Sequence, residues 1–294
     1  MARRTPIETL LAPRVVALTT VLPAAVAGEP EAVHRARVAS RRLREVLPVF
    51  VAADTRRSRD VRAAVRRVTR ALGSVRELDV ALDLFAAVVA AHGLSPAAQT
   101  SARRALHAAR SVAARQARTE LTRERQARLH ALLDRVTVAA AAADEPAVIA
   151  ALHARLLRAV GRLRKAIDRV STVYVPGRLH DVRIAAKRLR YALEAVGAAC
   201  GAGLTAPQVR QLRGIQDLLG RAHDLHVLGE SLQAVERRVV TRSRATARDL
   251  AVFVRALDGE CRALHAAFMG RREALRALAV AVAATPVAAV GARA

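Results

Sequence analysis

One segment of this chain occurs twice, and the repeat limits the possible folds more than any other feature of the sequence. Val33–Arg44 reads VHRARVASRRLR, and Leu179–Arg190 reads LHDVRIAAKRLR. A second pair follows in the same order, LGSVRELDV at Leu72–Val80 and LGRAHDLHV at Leu219–Val227. The separation is 146 positions for the first pair and 147 for the second. Two ordered matches at one spacing indicate a tandem duplication, with residues 1–145 and 146–294 as its halves.

Each half reads as a series of helices. The predicted helices are Ile7–Ala27, Glu31 to about Ala52, Arg56–Leu72 and Val75–Ala91 in the first half, and Pro146–Ser171, Pro176–Ala199, Thr205–Leu219 and Arg271–Ala283 in the second. Gly73 and Gly93 are typical of helix ends. Ser95 and Pro96 suit the N-cap and the first position of a further long helix. No segment shows the sustained alternation of β-branched residues that indicates strands, so the sequence predicts an all-α fold.

The N-terminal stretch Leu10–Ala27 is apolar and follows the basic residues of Met1–Arg4, as in a secretory signal peptide. However, Arg14 interrupts the stretch, and the repeat offset places it over a helix in the middle of the chain. We therefore expect it to be the first helix of the first half. No other segment reaches about 18 uncharged apolar residues, so no membrane span is expected.

The charge of the chain indicates an anionic partner. Fifty Lys and Arg residues oppose 25 Asp and Glu residues, for a formal net charge of +25. Lys165 and Lys187 are the only lysines, so almost all the positive charge is carried by guanidinium groups, whose planar donors match phosphate oxygens. Aromatic residues make up 2% of the chain and Trp is absent, which disfavours the base-stacking surfaces of single-stranded nucleic-acid binders.

The repeated segment concentrates cations on one helix face. At about 100° per residue, His34, Arg37, Arg41 and Arg44 fall within an arc of about 80°, opposite the apolar Leu43 and its neighbours. The second copy repeats this arc with His180, Arg183, Lys187 and Arg190, and Arg42 and Arg188 flank the two arcs. Like charges one turn apart repel, so a ligand that neutralises the face would explain the pattern. The alternative is that carboxylates such as Glu77, Asp79 or Asp224 pair with these arginines.

The two histidines at corresponding positions, His34 and His180, lie beside arginines. A neighbouring phosphate favours the imidazolium form, so anion binding should strengthen as pH falls through the histidine range.

The phrases VHRARVASRRLR and LHDVRIAAKRLRYALE, each followed by the LG motif, resemble the repeats of the CHAD family, the conserved histidine α-helical domain. The resemblance covers nearly the whole chain. It implies two four-helix bundles related by a pseudo-two-fold axis around a basic central groove that binds inorganic polyphosphate. The residues it implies for polyphosphate binding are His34, Arg37, Arg41, Arg42, Arg44, His180, Arg183, Lys187, Arg188 and Arg190.

The sequence departs from the family pattern in the second motif. Arg76-Glu77 stands where the family usually has Arg-Asp, and His223 stands where an arginine is expected, which puts Arg76 and His223 in doubt as ligand contacts. Asp79 and Asp224 are expected to cap or orient neighbouring groups. The strand run of the triphosphate-hydrolysing tunnel domain, fused to many family members, has no counterpart here.

Three classes of function stay open: a polyphosphate-binding protein, a nucleoid-type DNA or RNA binder that contacts backbone phosphates, and a polyphosphate-acting enzyme. The arrangement of arginines on paired helices favours the first class over the second. Neither a phosphate-cradling Gly loop nor clustered carboxylates for metal ions is visible, so we expect no catalysis and no cofactor. His223 and His226 lie one turn apart, but no third zinc ligand can be identified.

The number of cysteines indicates the compartment. Cys200 and Cys261 are too few for a disulfide framework, so a reducing cytoplasmic setting is expected. Polyphosphate binding would imply association with polyphosphate granules there.

Overall fold

The computed structural model describes Thr5, residues 7–51, 55–200 and 205–284. Within these residues the chain forms α-helices joined by short connections, and no strand is present. A π-helical turn at Ile7–Leu11 precedes the helices, which are α1 (Ala12–Ala27), α2 (Pro30–Phe50), α3 (Arg56–His92), α4 (Pro96–Glu120), α5 (Arg123–Ala140), α6 (Glu145–Asp168), α7 (Pro176–Cys200), α8 (Ala206–Val239), α9 (Arg244–Met269) and α10 (Arg272–Ala284). The predicted all-α class is confirmed. The predicted helix end near Ala52 lies outside the described residues.

Helix ends follow the local sequence. Ser95 caps α4 by accepting a hydrogen bond from Ala98 N–H at 3.4 Å, and Pro96 opens the helix, as predicted. Asp144 caps α6 in the same way, with its Oδ2 accepting from Ala147 N–H at 3.0 Å. These caps satisfy backbone donors that have no partner inside the helix.

The predicted helix break at Gly73 is wrong. Helix α3 continues through Gly73 from Arg56 to His92, and α8 continues through Gly220 from Ala206 to Val239. Helix propensity makes glycine a common end signal, but packing against neighbouring helices overrides a cost of about 1 kcal/mol per residue. The two LG motifs therefore lie in the middle of long helices and not at turns.

The buried residues form two hydrophobic cores. The first contains Leu43 of α2, Leu72 of α3 and Leu163 of α6. The second contains Phe85 of α3 and Leu232 of α8, together with residues of α4 and α9. Each core thus combines residues from both sides of the predicted boundary at 145/146. The division into two four-helix bundles stays a prediction.

Helix α1 packs within the first core. Leu18 and Leu22 are buried against it. By length and composition, Glu8–Ala27 is the one helical segment among the described residues that is apolar enough to cross a membrane, and 33% of its most apolar window is buried in the protein. Helices α5 and α6 meet the same test only as one span broken by a bend of 120°.

Candidate functional site

The two copies of the repeated segment form α2 and α7, and the two LG motifs lie in α3 and α8. Burial follows the helical pattern of the sequence: Leu43 of α2 and Leu189 of α7 are both fully buried in the first core. This burial fixes the rotation of each helix about its axis. As a result, the cationic arc of α2 and that of α7 are presented to one shared space.

That space is a cavity of about 520 Å³, which we call the central cavity. Residues of α2 and α3 form its first wall, and residues of α7 and α8 form its second wall. Its basic lining comprises Arg37, Arg41, Arg44, Arg76, Arg183, Lys187, Arg188 and Arg190. Its carboxylates are Glu45, Glu77 and Asp224. Eight permanent or titratable cations therefore face three anions, before the histidines are considered.

Nine of the ten sequence-predicted site residues line this cavity, and Arg42 does not. Arg42 is exposed, and its Nε donates a hydrogen bond to Oε2 of Glu194 at 2.9 Å. On a helical wheel Arg42 lies outside the cationic arc of α2, and its partner Glu194 also lies 3.6 Å from Arg190 of α7.

The structure also brings in residues that sequence reasoning left in doubt or missed. Arg76 and His223, the two departures from the family pattern, both line the cavity. Thr69 and Tyr191 also line the cavity, although the sequence did not predict either as a site residue. For Arg76 and His223 the sequence signal was the second repeat itself, because equivalent positions 147 residues apart face the cavity from α3 and α8.

Arg37 anchors the first wall. Its Nη1 donates to the carbonyl oxygen of Thr69 at 3.0 Å, and its Nη2 lies 4.0 Å from Oε1 of Glu77. The side chain is only 11% exposed, and burial, followed by the nearby Arg41, lowers its pKa to about 10, so the group keeps its charge at neutral pH. A Cβ on Gly73 would lie 2.8 Å from Arg37 Nη1, so the glycine makes room for the guanidinium.

Arg183 holds the corresponding place in the second wall. Its Nη2 lies 3.6 Å from Oδ1 of Asp224, so the ion pair between Arg37 and Glu77 has an equivalent across the repeat. Burial lowers the pKa of Arg183 and raises that of Asp224. The alternative that carboxylates pair with these arginines thus holds for Glu77 and Asp224. Asp79, by contrast, accepts a hydrogen bond from Arg110 at 2.7 Å, outside the central cavity.

Two histidines meet in the second wall. Nδ1 of His180 and Nδ1 of His223 are 3.1 Å apart, so one ring donates to the other in a suitable pair of neutral tautomers. Burial lowers the pKa of both rings; for His223, with Arg183 as the next cause, it falls to about 3. Burial and then Arg76 also lower the pKa of His34 in the first wall. All three rings are therefore neutral near pH 7 in the empty cavity.

Lys187 occupies the most unfavourable position for a cation. Burial, followed by the charges of Arg183 and Arg41, lowers its pKa to about 7. The neutral amine is therefore readily formed near pH 7. An anion in the cavity would reverse the balance by stabilising the ammonium form.

The carboxylates are placed to orient arginines. Glu45 lies 3.1 Å from Arg155, and Glu77 and Asp224 lie beside arginines of their own walls. Across the described ranges, no group of three or more His, Cys, Asp or Glu side chains comes together as a metal ion would require. His226, of the His-Asp-Leu-His sequence, lies 3.7 Å from Glu230 on its own helix.

Comparison with known proteins decides the family. The model of the CHAD domain matches residues 9–233, which include both walls of the central cavity. The chain belongs to the CHAD family. The resemblance drawn from the two repeats is thereby confirmed. The CHAD match ends within α8, whereas the second core is completed by α9, which lies beyond the matched residues.

Two solved structures share this fold. The crystal structure of the CHAD domain from the plant Ricinus communis is 23% identical, with a TM-score of 0.63, and the match covers 95% of this chain and 93% of that chain. PptA from Streptomyces chartreusis is 22% identical, with a TM-score of 0.68, and the match covers 90% of this chain and 97% of that chain. At these identities the likeness shows the CHAD fold alone. No curated protein sequence matches the chain significantly.

Proposed function

We propose that this CHAD protein binds inorganic polyphosphate in the central cavity without transforming it. The observation that carries the proposal is the excess of cations in one cavity, eight basic side chains against three carboxylates. Holding like charges together in a half-buried cavity is unfavourable unless an anion is bound. A chain of phosphates supplies closely spaced negative charges without any bulky group to be accommodated.

An unused donor in the cavity supports a phosphate ligand. Nε of Arg183 is buried and has no hydrogen-bond partner in the protein. Buried donors are almost always satisfied in stable proteins, and a phosphate oxygen would satisfy this one. Each charge-assisted contact contributes about 1.5 to 3 kcal/mol, before non-additivity is considered.

The lining favours polyphosphate over nucleic acid. Tyr191 is the only aromatic residue other than histidine in the cavity lining, and it is buried, with the guanidinium of Arg190 at 5.1 Å from its ring centroid. That ring is therefore not available to stack on a base. Binding to DNA through backbone phosphates alone is the competing outcome of the experiment below.

The carboxylates favour binding over catalysis. Phosphoryl transfer requires a metal clamp or a base beside the reacting phosphate. Glu77 and Asp224 instead lie next to Arg37 and Arg183, where they orient the guanidinium groups. The proposal includes a cytoplasmic location with association to polyphosphate granules.

The test is a charge reversal in both walls. Arg41→Glu combined with Lys187→Glu should weaken binding of long-chain polyphosphate at least about 100-fold, because two contacts become repulsive. The matched control is Arg164→Glu with Arg213→Glu, two exposed arginines outside the central cavity, with circular dichroism to check helicity. Competition between polyphosphate and duplex DNA at equal phosphate concentration and physiological salt completes the experiment. Equal binding by the double variant and the parent, or preference for DNA, would refute the proposal.

A further inference from the structure

A second basic cavity adjoins the central cavity on one side. It measures about 320 Å³, and we call it the arginine pocket. Arg155, Arg158 and Arg162 of α6 line it, and their spacing of three and four residues places them along one helix face. Arg62 and Arg66 of α3 line the opposite side of the pocket. None of these five arginines was singled out by the repeat.

The two cavities share part of their lining. Arg44 of α2 and Arg188 of α7 line both, as does Glu45. The cationic surface is therefore continuous from the central cavity into the arginine pocket. An anion chain that passes Arg44 and Arg188 meets the further guanidinium groups of the arginine pocket, whose lining also includes Leu47 and Pro48.

The arginine pocket has almost no internal compensation of charge. Seven arginines line it, and Glu45 is the one carboxylate among its lining residues. Glu45 is already engaged with Arg155 at 3.1 Å. Nε of Arg62 is buried without a hydrogen-bond partner in the protein. The pocket thus holds a large unneutralised charge and an unused donor, as the central cavity does.

The duplication provides a comparison for this pocket. At the repeat offset, Arg158 and Arg162 of α6 correspond to Ala12 and Val16 of α1, which carry no charge. On that opposite side Glu194 lies 2.9 Å from Arg42 and 3.6 Å from Arg190. The basic surface is therefore extended on the α6 side, whereas on the α1 side Glu194 offsets part of the positive charge of Arg42 and Arg190.

We propose that the arginine pocket is a second phosphate-binding site, through which a polyphosphate chain longer than the central cavity leaves in one direction, between α3 and α6. The inference rests on the proposed function, because the chain must first occupy the central cavity. It assigns the arginine pocket a role in selecting long chains over short ones. A short anion is held by the central cavity alone.

The experiment compares tripolyphosphate with long-chain polyphosphate on charge-matched double variants. Arg66→Ala with Arg162→Ala removes two exposed arginines of the pocket. The control is Arg213→Ala with Arg164→Ala: Arg213 corresponds to Arg66 at the repeat offset, and Arg164 lies on α6 outside the pocket. Both variants lose the same net charge, so a difference between them reports position.

For the pocket variant we expect long-chain affinity to fall roughly tenfold relative to the control, with tripolyphosphate affinity unchanged. The slope of log affinity against log salt concentration for the long chain should fall by about 1.4, corresponding to two fewer neutralised phosphates. Equal long-chain affinities for the pocket variant and the control, or an equal loss for both chain lengths, would refute the second site while leaving the proposed function intact. Failure of the parent protein to bind either polyphosphate would refute the proposed function itself.

Discussion

The two walls of the central cavity carry the two copies of each repeated motif but differ in the kind of charge they hold. At one position the first wall has Arg41 where the second has Lys187, and at another it has Arg76 where the second has His223. Guanidinium groups stay charged at any relevant pH, whereas the amine and the imidazole titrate. At these two positions the first wall thus keeps a fixed positive charge, whereas the second wall changes its charge with pH and with the ligand.

The largest expected effect is a difference between Arg41 and Lys187 in how their contribution to polyphosphate affinity depends on pH. Arg41→Ala should weaken polyphosphate binding by about 10- to 100-fold at every pH, since one charge-assisted contact is lost. Lys187→Ala should cost as much at pH 6 but little at pH 8.5. Binding raises the pKa of Lys187 above its free value of about 7, so its contribution is complete below pH 7 and declines by up to about tenfold per pH unit above it.

The measurement is a titration with long-chain polyphosphate at constant salt across this pH range. Lys187→Arg is the control, because a permanent charge should remove the decline above pH 7. A constant loss for Lys187→Ala between pH 6 and pH 8.5 would contradict a titrating second wall.

The next prediction concerns a substitution that gives the second wall the same permanent charge as the first. His223→Arg places a permanent charge at the position equivalent to Arg76, where the native ring is neutral because its pKa is about 3. We expect polyphosphate affinity at pH 7 to rise by roughly tenfold and the salt slope to steepen by about 0.7. The free protein should melt at a lower temperature, because the new cation lies near Arg183. Unchanged affinity would show that His223 faces no phosphate.

A smaller effect distinguishes the two glycines. Gly220→Ala should raise the free energy of unfolding by about 0.5 to 1 kcal/mol, because alanine has the higher helix propensity and the new Cβ would meet no atom within 4 Å. Gly73→Ala should gain less and should weaken polyphosphate binding, because Arg37 must move away from Thr69. Denaturant unfolding and binding titrations measure both. Identical behaviour of the two variants would show that Arg37 does not need the space at Gly73.

The smallest effect concerns stability without ligand. Lys187→Met should raise the melting temperature of the empty protein by a few degrees at pH 6 and by less at pH 9. The folded-state pKa of Lys187 lies below its ordinary 10.5, so its destabilisation is complete below about pH 7 and fades as pH rises toward 10.5. Differential scanning calorimetry of variant and parent at the two pH values tests this. A larger gain at pH 9 would contradict the buried-cation explanation.

The helical class and the cationic faces were predictable because both depend on local periodicity. The helical pattern of the repeated segment indicates which side of α2 and α7 is apolar, and therefore predicts the burial of Leu43 and Leu189. The continuation of α3 through Gly73 was not predictable, because the glycine is needed to make room for the guanidinium of Arg37 on another helix. The arginines of α6 in the arginine pocket were missed for a related reason: they have no counterpart in the repeat, and only tertiary packing brings them beside Arg44 and Arg188.

The long helices α3 and α8 each contribute to both hydrophobic cores and also line the central cavity between their two ends. Val75 and Phe85 of α3 belong to different cores, and Arg76 and Glu77 lie between them. Neither core can unfold without disrupting a wall of the cavity. A bound anion should therefore protect amide hydrogens against exchange far beyond its own contacts, in the second core as well as the first. Anion binding in the cavity and the cooperative unfolding of the whole molecule are in this way thermodynamically coupled.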